Sequence, residues 1–132
     1  YDYVLLDIYD YLKDRIDFAV AGGIKKENIV VDPGIGFGKT ISQNIRLITK
    51  ASLFHVLGCP ILYGVSRKRF IGEIGKAPEA RNRFPGSIAV AIELIRQGVH
   101  IIRVHDVKET KQALDLWEAL VNRCDLKDGS SA

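Results

Sequence analysis

Methionine is absent from all 132 residues, and the chain begins at Tyr1. A chain with no initiator reads as a piece of something longer. Only two cysteines are present, Cys59 and Cys124, without metal-ligand spacing or a dense disulfide pattern. A reduced, cytoplasmic setting is therefore expected. No apolar run approaches the ~18 residues of a membrane span, and no signal peptide opens the chain. The formal net charge of +3 is too mild to call for nucleic acid. What remains is a chain with 47% hydrophobic and 27% charged residues, an ordinary balance for a globular protein with one core.

The organising stretch is Asn28 to Thr40, N-I-V-V-D-P-G-I-G-F-G-K-T. Ile29, Val30 and Val31 form a β-branched run suited to a strand buried on both faces. Asp32 ends it and Pro33, lacking an N–H, stops it. Gly34, Gly36 and Gly38 follow at alternate positions, with Phe37 and Lys39 among them. Glycine lets backbone approach a ligand closely, so the stretch suits small-molecule binding; a tight strand-to-helix turn is the plain alternative. Gly38-Lys39-Thr40 matches the end of a nucleotide phosphate loop, but the leading glycine that loop needs is Pro33 here. That argues against a nucleoside triphosphate loop.

Read in order, Tyr1–Ala21 is an amphipathic helix carrying Leu5, Ile8, Leu12, Ile16 and Ala19, closed by Gly22 and Gly23. Ile29–Asp32 is a strand. Ser42–Leu57 is a helix, ended by Gly58. Pro60–Val65 is a second strand, followed by the polar cluster Ser66-Arg67-Lys68-Arg69 and a loop through Gly75–Pro85. Gly86–Gln97 is a helix ended by Gly98, and His100–Val104 a third strand. Asp106 and Glu109 have the spacing of a cap for a last helix bearing Ala113, Leu114, Trp117, Leu120 and Val121. Lys127–Ala132 reads as a flexible tail, leaving 1–126 as the folded part.

Strand, loop and helix repeat as βα units, which are joined by right-handed crossovers into a parallel sheet. After every strand come the polar residues, at the carboxyl-end face where such sheets place ligands. Three strands are too few for a barrel of about 250 residues, and alone they leave two apolar edges open. The α/β reading is the C-terminal half of a TIM-type (βα)8 barrel, three parallel strands with flanking helices, beginning in the helix before strand six. A small open three-layer α/β domain is the alternative.

Three clusters together resemble dihydropteroate synthase: D-P-G-I-G-F-G-K-T at Asp32–Thr40, G-V-S-R-K-R-F-I-G at Gly64–Gly72, and R-V-H-D-V at Arg103–Val107. Asn44 also sits where that family keeps an asparagine. The resemblance implies condensation of dihydropterin pyrophosphate with p-aminobenzoate to give dihydropteroate, by loss of pyrophosphate and capture of a pterin-methyl cation. It implies that Asp32 accepts from the pterin's N–H groups, Lys68 donates to the pterin's carbonyl and ring nitrogen, and Arg103 stacks on the pterin while facing the pyrophosphate. His105 would touch the pyrophosphate and protonate the leaving group. Phe37 and the glycine loop around Gly36 would wall the p-aminobenzoate pocket, with Ser66 and Arg67 nearby. Magnesium would accompany the pyrophosphate, its ligand lying in the absent first half. The family dimerises through its last helices, so exposed apolar positions on Ser42–Leu57 and Gly86–Gln97 are the expected contact. Nucleic acid and membrane are not expected partners.

Each assignment has a plainer counterpart. Asp32 would cap a turn, and Arg67, Lys68 and Arg69 would be a solvated basic helix start, although cations are disfavoured there. Arg103, interrupting an apolar strand, would pair with Asp106 or Asp32. His105 would be a satisfied structural histidine, and His55 and His100 are expected to be structural or exposed. Arg69 departs from the serine common at its position in the family, which puts the p-aminobenzoate carboxylate contact in question. With the first half absent, the 132 residues alone are expected to be catalytically incompetent. The alternative enzyme is a pterin-binding methyltransferase that handles methyltetrahydrofolate beside a corrinoid; a non-catalytic binding fragment is a third reading.

Overall fold

The structure, a computed structural model, describes residues 3–122. The tail and Cys124 lie outside the described residues. Helix α1 spans Val4–Ala21 and buries Val4, Ile8, Leu12 and Ile16, one residue per turn. Gly22 caps it and Gly23 turns away at φ 102°.

The first strand shrinks to one bridge. Val31 alone pairs, in parallel, with Ile61: its N–H donates to Pro60 O at 2.9 Å, and its carbonyl accepts from Leu62 N–H at 2.8 Å. A 3-10 turn over Lys26–Asn28 precedes it and Pro33 follows, leaving little extended chain between them. Val30 is 48% exposed, so the expectation of burial on both faces fails there.

Strand β1 (Leu62–Gly64) pairs in parallel with β2 (Ile101–Arg103) in the register Leu62↔Ile101, Tyr63↔Ile102, Gly64↔Arg103. The chain thus lays three parallel segments side by side. Ile101, on the outer edge, is exposed like Val30, as expected of an open three-strand layer.

The helix read over Ser42–Leu57 is two elements. Helix α2 runs Ile41–Thr49, opened by a capping box in which Thr40 and Gln43 exchange side-chain and backbone bonds. It stops where Thr49 Oγ1 turns back to Arg46 O. A 3-10 segment, Ala51–Leu57, takes over and buries Ala51, Phe54 and Leu57, whose spacing of three matches its period. The stretch after β1 also holds a short helix, α3 (Arg69–Ile74), at the helix start weighed for the basic cluster, and a 3-10 turn at Ala80–Asn82 where a loop was expected. Helix α4 (Phe84–Arg96) follows, with Pro85 in its first turn.

Helix α5 (Val107–Val121) starts after Asp106, but the expected Asp106–Glu109 cap is not made. The Asp106 carboxylate goes to Arg67 instead. Only Thr110 of α5 is buried; Leu116, Leu120 and Val121 are exposed. No helix among the described residues is long and apolar enough to cross a membrane.

The core is built on Tyr63, Phe54, Leu47, Ile61, Val65 and Leu94. Tyr63 carries its hydroxyl into it, donating to Leu47 O at 2.7 Å and satisfying the group where water is excluded. Burial first, and the nearby Asp32 charge second, push that phenol far above its ordinary range. His55 Nε2 meets Gln97 O at 2.8 Å and His100 Nδ1 accepts from Ile61 N–H at 3.0 Å, so both serve the backbone.

Candidate functional site

The carboxyl ends of the three parallel segments carry the site. Asp32 ends the first, Ser66 to Arg69 follow β1, and Arg103 closes β2 with His105 just beyond.

Beyond Asp32 the chain makes a loop in which Gly34, Gly36 and Gly38 all take positive φ, at 74°, 86° and 62°. Asp32 Oδ1 accepts from Gly34 N–H at 2.8 Å, so one carboxylate oxygen does cap the turn. Its other oxygen has no hydrogen-bond partner among the described residues. Ile35 is buried and pins the loop to the core. The buried Asn44, on α2, accepts from Gly36 N–H at 2.9 Å through Oδ1. Between these anchors Phe37 stands out, 66% exposed, its ring centroid 4.6 Å from Lys68 Nζ.

After β1, Arg67 holds a left-handed backbone at φ 57°, uncommon for a residue with a side chain. Three partners hold it. Its N–H donates to Ser87 Oγ at 2.9 Å, its carbonyl accepts from Arg83 Nη1 at 3.0 Å, and its guanidinium grips Asp106 at 2.7 and 3.3 Å. The bond to Asp106 raises the Arg67 pKa further. Arg83 also donates to Ala77 O and Pro78 O at 2.8 and 2.7 Å, knitting the stretch beneath the site. Lys68 then occupies the N-cap position of α3 without a side-chain capping bond, while Arg69 reaches outward to Glu73. A solvated basic start thus describes Arg69, whose side chain is 89% exposed, but not Lys68.

Ser66 is buried and serves His105. Its Oγ accepts from the His105 N–H at 3.2 Å and meets ring Nδ1 at 3.0 Å. Arg103 forms no ion pair with Asp106 or Asp32, nor with any other described residue. Its guanidinium lies over Gly64, its register partner, where a Cβ would stand only 2.6 Å from Nη2.

Two clefts result. Gly64, Ser66, Lys68, Arg103, Val104 and His105 line one of about 430 Å³. The other, about 390 Å³, lies between the glycine loop and α3 and is lined by Gly36, Lys39, Asn44, Lys68 and Arg69 among others. Lys68 belongs to both. Of the residues expected from the sequence, Ser66, Lys68, Arg103 and His105 meet in the first cleft, and Gly36 and Lys68 in the second. Arg67 is committed to Asp106. Asp32 lines neither cleft, though its charge is felt at Lys39 and Tyr63. The supports Arg83 and Ser87 carry no motif; Asp106 stands in the R-V-H-D-V cluster, but its sequence reading is a helix cap and a plain partner for Arg103, not for Arg67.

A family model described as pterin binding enzyme matches residues 1–105. Dihydropteroate synthase of Escherichia coli (strain K12) is 41% identical over 122 residues, covering 92% of this chain and 43% of that protein. Dihydropteroate synthase from Stenotrophomonas maltophilia, solved with imidazole in its active site, superposes with a TM-score of 0.90 at 37% identity, over 92% of this chain and 46% of that one. The Xanthomonas albilineans dihydropteroate synthase solved with 4-aminobenzoic acid also gives 0.90, at 38% identity over 92% and 44%. The chain therefore spans somewhat under half the length of these relatives.

Proposed function

The chain belongs to the pterin binding enzyme family, and on that premise we propose that it is the C-terminal part of a dihydropteroate synthase. Its fold is the corresponding portion of a TIM-type barrel. The reading assigns it to a transferase that joins dihydropterin pyrophosphate to p-aminobenzoate in folate biosynthesis.

One observation carries the reading. Lys68 and Arg103 share a cleft with His105, and neither cation has an ion-pair partner among the described residues. Two cations brought together without counter-ions make a local positive field that attracts an anion, and barrels place their ligands at this carboxyl-end face. Anionic pyrophosphate does so.

In the proposed reaction the C–O bond between the pterin methylene and pyrophosphate breaks, leaving the electron pair on the departing oxygen. Arg103 faces that anion and, with its planar guanidinium, also stacks on the pterin. Ser66 engages His105 Nδ1, so Nε2 is the ring nitrogen left to the pyrophosphate. Lys68 and the open oxygen of Asp32 recognise the pterin ring. The p-aminobenzoate amine then attacks the methylene carbon and releases its proton, with Phe37 and the Gly36 backbone walling its pocket.

The proposal includes magnesium travelling with the pyrophosphate. Among the described residues no three His, Cys, Asp or Glu side chains come together to hold a metal, and no step above runs through it. It also includes a cytoplasmic setting and a homodimer. Large exposed apolar side chains are present on α2, at Ile41 and Ile45, and on the 3-10 segment, at Leu53 and Val56. Helix α4, expected to expose such positions too, keeps its large apolar side chains at least half-buried, so a second copy would rest chiefly on the former two.

Calorimetry of the two pterin ligands tests the assignment. Dihydropterin pyrophosphate should bind at least about tenfold more tightly than methyltetrahydrofolate, a difference of ~1.4 kcal/mol. A methyl donor needs no pyrophosphate site, so the reverse order would favour the methyltransferase.

A further inference from the structure

Lys39 has no part in the chemistry above, and Pro33 at the leading position argues against a nucleotide phosphate loop. Its ammonium is folded under its own loop. Nζ donates to Gly34 O at 2.6 Å and to Phe37 O at 2.9 Å. Gly34 O also receives the Phe37 N–H at 3.2 Å, so one carbonyl gathers both ends of the turn. The fit is close: a Cβ on Gly34 would stand 3.3 Å from Nζ. Burial lowers the pKa of this amine, with the Asp32 charge opposing the shift and the Lys68 charge adding to it. A half-buried cation beside a second cation is unfavourable unless carbonyl dipoles compensate it.

The loop needs such a tie. Its glycines at 34, 36 and 38 give its backbone wide conformational freedom. Ile35 is anchored in the core and Gly36 on Asn44, but Phe37 is two-thirds exposed. Its carbonyl is held by Lys39 and its ring stands over Lys68, the residue common to both clefts.

We infer that Lys39 is a positioning residue for the arylamine subsite. By bonding the Gly34 and Phe37 carbonyls together it fixes the loop and sets where the Phe37 ring stands against Lys68. It acts through the loop and not on the reacting atoms, its ammonium being spent on the two carbonyls. The subsite's identity rests on the function proposed above; the clamp itself does not.

Two experiments separate these parts. In the 132-residue chain, chymotrypsin should nick after Phe37 about tenfold faster in Lys39→Met than in the parent, because cleavage follows the population of the open loop. Cleavage after Phe18, exposed on α1, should not change and so reports that the fold is intact. Lys39→Arg, which keeps donors for both carbonyls, should nick at nearly the parent rate. Equal nicking in parent and Lys39→Met, or equal acceleration in Lys39→Arg, would overturn the clamp. In a protein carrying this chain with the remaining barrel units, Lys39→Met should raise KM for p-aminobenzoate about tenfold, the loss of ~1.4 kcal/mol of placement. KM for dihydropterin pyrophosphate should stay within about twofold. Both constants rising together, or neither, would contradict the positioning role. Absence of turnover in the parent would instead count against the proposed function, with the nicking result still deciding the clamp.

Discussion

Arg103→Ala should lower turnover by about a thousandfold, the scale of removing a main electrostatic partner of developing charge, while thermal stability hardly changes. The two expectations separate because of how Arg103 is held. It is exposed, it has no ion pair among the described residues, and its guanidinium lies over the bare Cα of Gly64. Its removal therefore leaves no buried charge stranded, the usual source of large destabilisation. What disappears is the planar cation that the proposed reaction sets against the pyrophosphate. Lysine would restore charge without the stacking plane, so Arg103→Lys should recover only part of the loss. The check is kcat/KM beside a melting curve, and a variant retaining more than a tenth of the parent activity would remove Arg103 from the proposed reaction.

Gly64→Ala, a change of one methyl group, should cost about a hundredfold, since misplacing a reacting partner by about 1 Å suffices for that. Gly64 lies buried in β1 opposite Arg103, with an ordinary strand backbone that alanine also adopts. The new Cβ would meet Arg103 Nη2 at 2.6 Å, with Cζ and Nε each at 3.2 Å. All three belong to the mobile end of a long side chain, so the fold survives and the guanidinium moves. The melting temperature should hold while kcat/KM falls. In an Arg103→Ala background the same methyl should add almost nothing, because its damage acts through a side chain no longer present. Additive losses would mean that Gly64 matters for another reason.

The order of the βα units was legible because apolar runs, glycine stops and polar clusters repeat in register along the chain. The placement of Ser66, Lys68, Arg103 and His105 at or just beyond strand ends was legible too, and they meet at one face. Partnerships between distant residues were not legible. Asp106 and Glu109 have capping spacing, yet a guanidinium from the preceding unit takes the Asp106 carboxylate. A charged partner across the sheet outcompetes a backbone N–H, and sequence spacing does not reveal which is within reach. Arg83 and Ser87 matter because Arg67 takes a left-handed turn, which no local signal announces. The first strand failed for a local reason: Pro33 and the Lys26–Asn28 turn leave room for only one bridge. The division at Lys50 followed from a three-residue spacing of Ala51, Phe54 and Leu57 that a helical period also tolerates.

The central claim is that this face of the fold ionises a pterin pyrophosphate for capture by an arylamine. Its most direct test is pyrophosphate release from dihydropterin pyrophosphate, with magnesium, by a protein carrying this chain together with the remaining barrel units. The account predicts release that depends on p-aminobenzoate and matches dihydropteroate formed one for one, while the 132-residue chain alone stays silent. A folded, full-length protein that binds pterin yet releases no pyrophosphate when p-aminobenzoate is added would contradict it.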